Sequence, residues 1–370
     1  MEKFPKLKEK VRAVIFCGGY GTRMWPMSRD DLPKQFQPIL GDKSFFQKTI
    51  KRIKLGFKPE DIYFSVPQEQ VKFVKAQAKG IPEKNIIAEP ERRDTLGAVA
   101  YATAFLDYHF PNSLMAVVWG ADHIVRKEKK FIKLLGLAAR ICQNKNVLAK
   151  VDAKPIYPST VNGWIKVGKV EGKIDGYRVY EFLKHIEKPN LKDAKKMFAS
   201  KNYFINVGYF VWRTSTMLDF YKKYAPESYL HIEKIKKALG TKNEKEVLKK
   251  EYHQIEKTSV DYGLFEKLPP GSQLVIPADF GWYDTGTWGL LYEALAIGQR
   301  QNITKGGIEF IDAKGNLVYI PKKKIAAIIG VENLVVIDTE DALLVCKRGR
   351  SKDVKKMVNL LKKTGRKEYL

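Results

Sequence analysis

The sequence predicts an α/β fold, a mostly parallel twisted sheet with flanking helices, followed by a small C-terminal β-rich domain. Three observations carry this. Short β-branched apolar runs alternate with helical patterns through the first two-thirds of the chain. The first of those runs ends in a loop with three glycines, Gly18, Gly19 and Gly21. Near Gln299 the composition shifts to short β-rich segments divided by turn residues.

The elements follow in order. Val11–Cys17, Ile62–Val66 and Met115–Trp119 are short, apolar and β-branched, as buried strands are. Phe45–Ile53, Gln68–Lys79 and Leu96–Phe110 show helical spacing between them. In such a sheet, ligands sit beyond the carboxyl ends of the strands. The glycine loop follows the first strand and Gly120-Ala121-Asp122-His123 follows the third, so both are expected at one cleft. After Asn302 come Gly307–Ile311, Asn316–Ile320, Ile325–Ile329, Leu334–Asp338 and Ala342–Cys346, a small β domain or a coil of strands. Val354, Met357, Val358 and Leu361 lie at helical spacing, with lysines on the wet face of that helix. The expected domains are 1–298 and 299–370, with a packed interface because no low-complexity linker divides them. Short strands leave edges to cover, so the tail is the expected surface of a homodimer.

Composition narrows the classes. With 370 residues, 44% of them hydrophobic, the chain can bury a large core and a small one. No apolar run reaches the ~20 residues of a membrane helix, and Met1–Lys10 lacks a signal-peptide core. Cys17, Cys142 and Cys346 are far apart, which argues for reduced thiols in a cytoplasm and against a cysteine zinc site. A net charge of +26 raises nucleic acid or an anionic membrane as partners. No nucleic-acid motif accompanies it, and the lysines are spread along the chain, so it reads as a lysine-rich surface that also attracts phosphates.

The glycine loop has its own chemistry. Glycines let backbone N–H groups approach phosphate oxygens, and Arg23 and Lys34 add two positive charges beside them. The loop is neither the dinucleotide fingerprint, since Met24 stands where a third spaced glycine is required, nor a P-loop, since Gly-Lys-Ser/Thr is missing. The combination suits a nucleoside triphosphate whose phosphate is attacked. Asp122, after an apolar strand, is suited either to Mg²⁺ on that triphosphate or to capping the next helix. Asp284, in Gly281-Trp282-Tyr283-Asp284-Thr285-Gly286, is suited to the same metal, to an Asx turn, or to capping the helix Trp288–Ala296. His123 is expected to serve local structure, because an anionic phosphate nucleophile requires no base.

The run from Phe16 through Arg23, Trp25-Pro26 and Pro33-Lys34-Gln35-Phe36 resembles the signature of sugar-phosphate nucleotidyltransferases, and more narrowly the bacterial mannose-1-phosphate guanylyltransferases. Cys17 departs from the small residue usual there. The resemblance implies a Rossmann-like sheet, GTP and mannose 1-phosphate as substrates, and Mg²⁺ held by Asp122 and Asp284. Glu89-Pro90-Glu91-Arg92-Arg93-Asp94-Thr95 resembles the Glu-Pro-x-x-Arg-Asn-Thr segment, which places Glu89, Arg93 and Thr95 against the nucleotide with Gly18, Gly19, Gly21 and Thr22. Glu89 is the implied acceptor of the guanine N1–H and N2–H; a surface carboxylate or a pair with Arg92 or Arg93 are its alternatives. Thr160 and Gly163 are what remains of Pro-x-Thr-Gly-Tyr-Gly-Tyr-Ile. His185-Ile186-Glu187-Lys188-Pro189 is similar to Val-Glu-Lys-Pro, and Asn206-Val207-Gly208-Tyr209-Phe210 to Asn-Ser-Gly-x-Phe. These imply a sugar-phosphate site of Thr160, Gly163, Glu187, Lys188, Asn206 and Asp261, the last either organising it or capping a helix. Leu334–Val345 resembles the family's tail, so the likeness spans nearly the whole chain. Ending at Leu370, the chain is expected to lack the isomerase domain and activity of many bacterial relatives. The alternatives are another base or sugar 1-phosphate, a non-catalytic nucleotide-sugar-binding relative, and a charge-driven nucleic-acid binder.

Overall fold

Apolar runs too continuous for a surface strand build the centre of the molecule. The computed structural model describes residues 6–370, Tyr20 and Leu40 excepted. β1 (Val11–Phe16), β2 (Ile62–Pro67) and β4 (Leu114–Val118) are almost wholly buried, while β3 (Ile86–Glu89), at the sheet edge, alternates buried and part-buried residues. Near-complete burial is expected of parallel strands covered on both faces. After the two-residue β5 (Ile124–Val125), which pairs elsewhere, come β6 (Leu148–Ala153), β7 (Trp164–Ile174), β8 (Tyr177–Ile186), β9 (Tyr203–Arg213) and β10 (Gln273–Ala278). The nine strands form one sheet in the order β3-β2-β1-β4-β9-β6-β10-β8-β7. Only β8 and β9 run against the rest, so seven of nine share a direction, and the expected mostly parallel sheet is found. The expected helix over 68–79 is shorter: a 3₁₀ turn covers Gln68–Gln70 and the helix is Val71–Gln77, ending where Ala78 leaves helical geometry at ψ 41°.

The chain divides into two compact units, each assembled from separate stretches. The first comprises 1–18, 51–119 and 127–280 and holds the nine-stranded sheet. Its helix Asp94–His109 is buried along most of its length, as a helix apolar all round must be. It packs with Met217, Tyr221, Ile232, Tyr252 and Phe265 in one core. On Glu128–Asn144, Phe131 meets Tyr209 and Phe280.

The second unit comprises 19–50, 120–126 and 281–370. In it β5 pairs antiparallel with β11 (Trp282–Tyr283). The remaining strands are β12 (Ile303–Lys305), β13 (Gly307–Ile311), β14 (Leu317–Tyr319), β15 (Ile325–Ile329), β16 (Leu334–Asp338) and β17 (Leu343–Lys347). Alternate strands fall into two sheets. β12, β14 and β16 pair in parallel, with β17 added antiparallel, and β13 pairs in parallel with β15. Of the two readings of this segment, the coil of strands is the one found. Leu317, Val335, Ile337 and Leu344 point into a core completed by Met24, Trp25, Phe45, Trp288, Leu291 and, from the closing helix Val354–Lys363, Val354 and Val358. Among the described residues no helix is long and apolar enough to cross a membrane.

Candidate active site

In the second unit, the short β5–β11 ladder sets the register of two aspartates. Tyr283 pairs with Ile124, and just beyond that last pair one strand leads into Asp284 and Thr285 and the other comes from Asp122 and His123. The Thr285 hydroxyl donates to the Asp122 carbonyl at 2.6 Å. The Lys34 ammonium forms an ion pair with the Asp122 carboxylate and donates to the Thr285 carbonyl at 3.3 Å. Burial would raise the Asp122 pKa, but the Lys34 and His123 charges outweigh it and hold the carboxyl at about 2. Asp284 Oδ1 accepts from the Gly286 N–H at 2.7 Å, the Asx turn foreseen as one alternative. The helix Trp288–Leu295 is capped instead by Thr287, whose hydroxyl accepts from the Leu290 N–H. Nor does Asp122 cap a helix, because Glu128–Asn144 begins after Lys127.

Glycines fix how closely these groups sit. A Cβ on Gly286 would lie 3.0 Å from both Arg23 Nη2 and Asp284 Oδ1. One on Gly21, where φ is 66°, would lie 2.5 Å from Lys34 Cγ. Gly21, Arg23, Lys34, Asp122 and Asp284 therefore form one cluster within one unit. His123 meets Trp282 edge-on at 5.2 Å, consistent with a local structural role.

The glycine loop is held by its carbonyls. Arg92 Nη1 donates to the Gly18 carbonyl at 2.8 Å, and Gln35 Nε2 donates to the Gly19 carbonyl at 2.9 Å. In a planar trans peptide the N–H points opposite the carbonyl, so pinning the Gly18 oxygen turns the Gly19 N–H the other way. Both glycines are exposed, as a surface for phosphate has to be.

In the first unit, Glu89 ends β3 and is only 5% exposed. Its two oxygens accept from the Ser65 hydroxyl and the Tyr252 hydroxyl, each at 2.9 Å. Burial, only partly offset by these bonds, pushes the Glu89 carboxyl up to about 7. Glu89 is therefore neither a surface carboxylate nor the ion-pair partner of Arg93. Arg93 clamps the Ile255 carbonyl at 2.6 and 2.9 Å, and the Thr95 hydroxyl accepts from the Val260 N–H at 2.8 Å. Asp94, standing where the family segment has Asn, takes the left-handed φ of 60° that Asn and Asp tolerate.

A second cluster of the first unit gathers most of the sugar-phosphate candidates. A Cβ on Gly163 would collide with His185 Nε2 and lie 2.7 Å from Glu187 Oε2. The Gly163 carbonyl accepts from the Asn206 N–H at 2.9 Å, and His185 Nε2 lies 3.3 Å from Glu187 Oε2. Glu187 also pairs with Lys188, which adopts a left-handed φ of 44°. These neighbours hold the Glu187 carboxyl at about 2, with the His185 hydrogen bond the largest influence. Asp261 lines a cavity of about 340 Å³ with Lys150, His185 and Gln273. It does not cap its helix, because the Ser259 hydroxyl accepts from the Tyr262 N–H. Thr160 stays exposed, on a loop held by Ser159 and Asn162.

Sequence reasoning missed Ser65, Tyr252, Lys150 and Asp152, and left Arg92 as a mere candidate partner of Glu89. None carries a local signal; Tyr252 reaches Glu89 across 163 positions.

Comparison with known proteins agrees along nearly the whole chain. Residues 12–300 match the family described as nucleotidyl transferase, and residues 309–361 match a mannose-phosphate isomerase/GMP-like β-helix domain. A mannose-1-phosphate guanylyltransferase of Salmonella typhimurium is 34% identical over 96% of this chain and 73% of its own length. One from Escherichia coli K12 is 32% identical over 98% of this chain and 76% of its own. A crystal structure from Thermus thermophilus, described as a mannose-1-phosphate geranyltransferase, superposes with a TM-score of 0.85 at 27% identity, covering 95% of this chain and 99% of that one.

Proposed function

We propose a reaction from one premise: the chain belongs to the nucleotidyl transferase family and, within it, to the mannose-1-phosphate guanylyltransferases. It transfers GMP from GTP to α-D-mannose 1-phosphate, giving GDP-mannose and pyrophosphate. The observation that carries the site assignment is the cluster of Gly21, Arg23, Lys34, Asp122 and Asp284.

A phosphate-monoester oxygen attacks the α-phosphorus of GTP in line with the leaving pyrophosphate. One P–O bond forms and the α–β phosphoanhydride bond breaks, and the anionic nucleophile needs no proton removed. Catalysis is positioning and charge neutralisation, without a covalent enzyme intermediate. The N–H of Gly19 and the backbone of Gly18, Gly21 and Thr22 line the triphosphate, with Arg23 and Lys34 on its charge. Glu89 accepts from guanine with the oxygen lone pairs that Ser65 and Tyr252 leave over, while Arg93 and Thr95 hold that segment in place. Lys188 takes the sugar phosphate, and Glu187, Asn206 and Asp261, with Gly163 and Thr160, take the sugar.

Two hard carboxylates, Asp122 and Asp284, fit Mg²⁺, which takes few protein ligands and completes its shell with phosphate oxygens and water. When bound there, Mg²⁺ supplies charge neutralisation at the reacting phosphates. Lys34 already pairs with the Asp122 carboxylate, so a metal held there would share that carboxylate with the ammonium. The test is a panel of nucleoside triphosphates against sugar 1-phosphates. GTP with mannose 1-phosphate is expected to release pyrophosphate at least about tenfold faster than other pairs, and chelating the metal should abolish release. Equal rates across the panel would discard the substrate assignment, and full activity in a chelator would discard the metal.

The reading places the protein in the cytoplasm, with no nucleic acid or membrane among its partners. It also carries a homodimer through the β-rich segment. On one face of the β13–β15 pair, Ile311, Ile325 and Ile329 are 59%, 76% and 60% exposed, an apolar stripe that a second copy would cover. Light scattering is expected to give twice the chain mass, and Ile325→Lys to give the monomer. A monomer mass for the unaltered protein at micromolar concentration ends this part of the reading.

A further inference from the structure

Two charged side chains lie where the proposed reaction gives them no role. Lys150 and Asp152 both belong to β6 and are 2% and 0% exposed. Burying such charges is costly unless each is paired or hydrogen-bonded. Lys150 Nζ lies 3.7 Å from Asp152 Oδ2 and 4.7 Å from the centre of the Phe210 ring. Asp152 Oδ1 accepts a long bond from the Val207 N–H at 3.5 Å, and Oδ2 accepts no hydrogen bond. The pair is thus balanced in charge but not locked together. Lys150 spends its hydrogen bond elsewhere, donating to Asn206 Oδ1 at 3.1 Å.

That bond has a directional consequence. An ammonium can only donate, so the oxygen of the Asn206 amide has to face it. The same oxygen accepts from the Gly208 N–H at 3.3 Å. With its oxygen committed to two inner donors, Asn206 presents its NH₂ the other way. There His185 Nε2 lies 3.5 Å from Asn206 Nδ2 and 3.3 Å from Glu187 Oε2. A ring N–H on Nε2 serves the Glu187 carboxylate and leaves the amide hydrogens of Asn206 to an outside acceptor. Burial lowers the pKa of Lys150 and raises that of Asp152, and each opposes the other's shift, as a pair cut off from water should.

We propose that Lys150, backed by Asp152, is a positioning residue that fixes the Asn206 amide with its NH₂ outward, so that Asn206 meets a sugar hydroxyl as donor and never as acceptor. This rests on the reading of Asn206 as a sugar contact. It adds a selection rule: the hydroxyl at that position is bound through its oxygen, and an analogue lacking the oxygen is penalised.

The experiment is a mutant cycle between Lys150→Met/Asp152→Asn, which removes both charges together, and Asn206→Ala, with KM for each substrate and kcat measured in the same pyrophosphate-release assay. The charge-free variant is expected to raise KM for mannose 1-phosphate about tenfold, the cost of about one hydrogen bond. KM for GTP and kcat should stay within about twofold, and adding Asn206→Ala should cost little more, since the two changes remove the same interaction. An unchanged sugar KM, or effects that simply add, would overturn the proposal. If that variant does not fold, Lys150→Gln/Asp152→Asn, which keeps a donor facing Asn206 and leaves no unpaired buried charge, decides. It is expected to hold the sugar KM within about threefold of the unaltered protein, and a tenfold rise would overturn the proposal. The unaltered protein in the same assay separates the two readings: no turnover of GTP with mannose 1-phosphate counts against the reaction, whereas turnover with no Lys150 effect counts against the positioning alone.

Discussion

Replacing Lys34 by methionine is expected to lower kcat for GDP-mannose formation by on the order of 10²- to 10³-fold, as losing a preorganised donor at developing charge does elsewhere. Lys34 is 8% exposed, and its ammonium is held between the Asp122 carboxylate and the Thr285 carbonyl, so it is already aimed before substrate arrives. The leaving pyrophosphate gathers negative charge as the anhydride bond breaks, and a fixed cation close to it acts on the transition state more than on bound GTP. KM for GTP should therefore move less than kcat. The methylene stem of methionine fills much of the same space beside Gly21, so the fold should survive. Steady-state kinetics and a thermal melt check both halves. A kcat within fivefold of the unaltered protein would remove Lys34 from the chemistry, and a collapsed melt would make Lys34→Gln the variant to measure.

Glu89→Gln should change stability in a way that depends on pH. In the fold the Glu89 carboxyl titrates at about 7 instead of 4.5, because burial disfavours its charge. Below about pH 4.5 the folded and unfolded chains both carry the proton, and the site costs nothing. Between there and about 7 the unfolded chain releases a proton that the folded chain keeps, so stability falls as pH rises. Above 7 the full cost applies, of order 3 kcal/mol for a shift of this size. Glutamine has no proton to lose and can still accept from Ser65, while the Tyr252 hydroxyl can turn to accept from its NH₂. Glu89→Gln should therefore gain stability relative to the unaltered protein between pH 4.5 and 8, read by denaturant melts at several pH values. The same titration bears on binding. Two guanine N–H donors prefer an ionised acceptor, so GTP affinity should rise through pH 7 in the unaltered protein and stay flat in Glu89→Gln. A stability difference that does not vary with pH would show that Glu89 titrates normally.

Much of this architecture can be read from the chain, for identifiable reasons. β1, β2 and β4 are unbroken apolar runs because both faces are covered, and such runs stand out. The β-rich segment is legible because Gly, Asp and Pro turns punctuate it. β6 is harder: Lys150 and Asp152 give Leu148–Ala153 the alternation of a half-wet strand, yet all six residues are buried. Only tertiary neighbours, β9 and β10 on either side, decide that. The β7–β8 hairpin did carry a local signal in Asp175-Gly176, both with positive φ, at 44° and 82°. At the site, residue type and loop chemistry pointed to Gly21, Arg23 and Lys34, and family resemblance joined Asp122 to Asp284. The inner ties, Tyr252 to Glu89 and Lys150 to Asn206, lie 163 and 56 positions apart and leave no trace in local pattern.

The polypeptide passes between its two units five times, at 18/19, 50/51, 119/120, 126/127 and 280/281. Arg23, Lys34, Asp122 and Asp284 all belong to the unit that also contains the coil of β12 to β17. Met24 and Trp25, next to Arg23, share a core with Leu317 and Val335. The coil is thus no interchangeable cassette. A hybrid that grafts a relative's coil onto this chain would re-cut the bed beneath the proposed triphosphate site, so turnover in such hybrids should track how well the graft refills the space around Trp25 and Trp288.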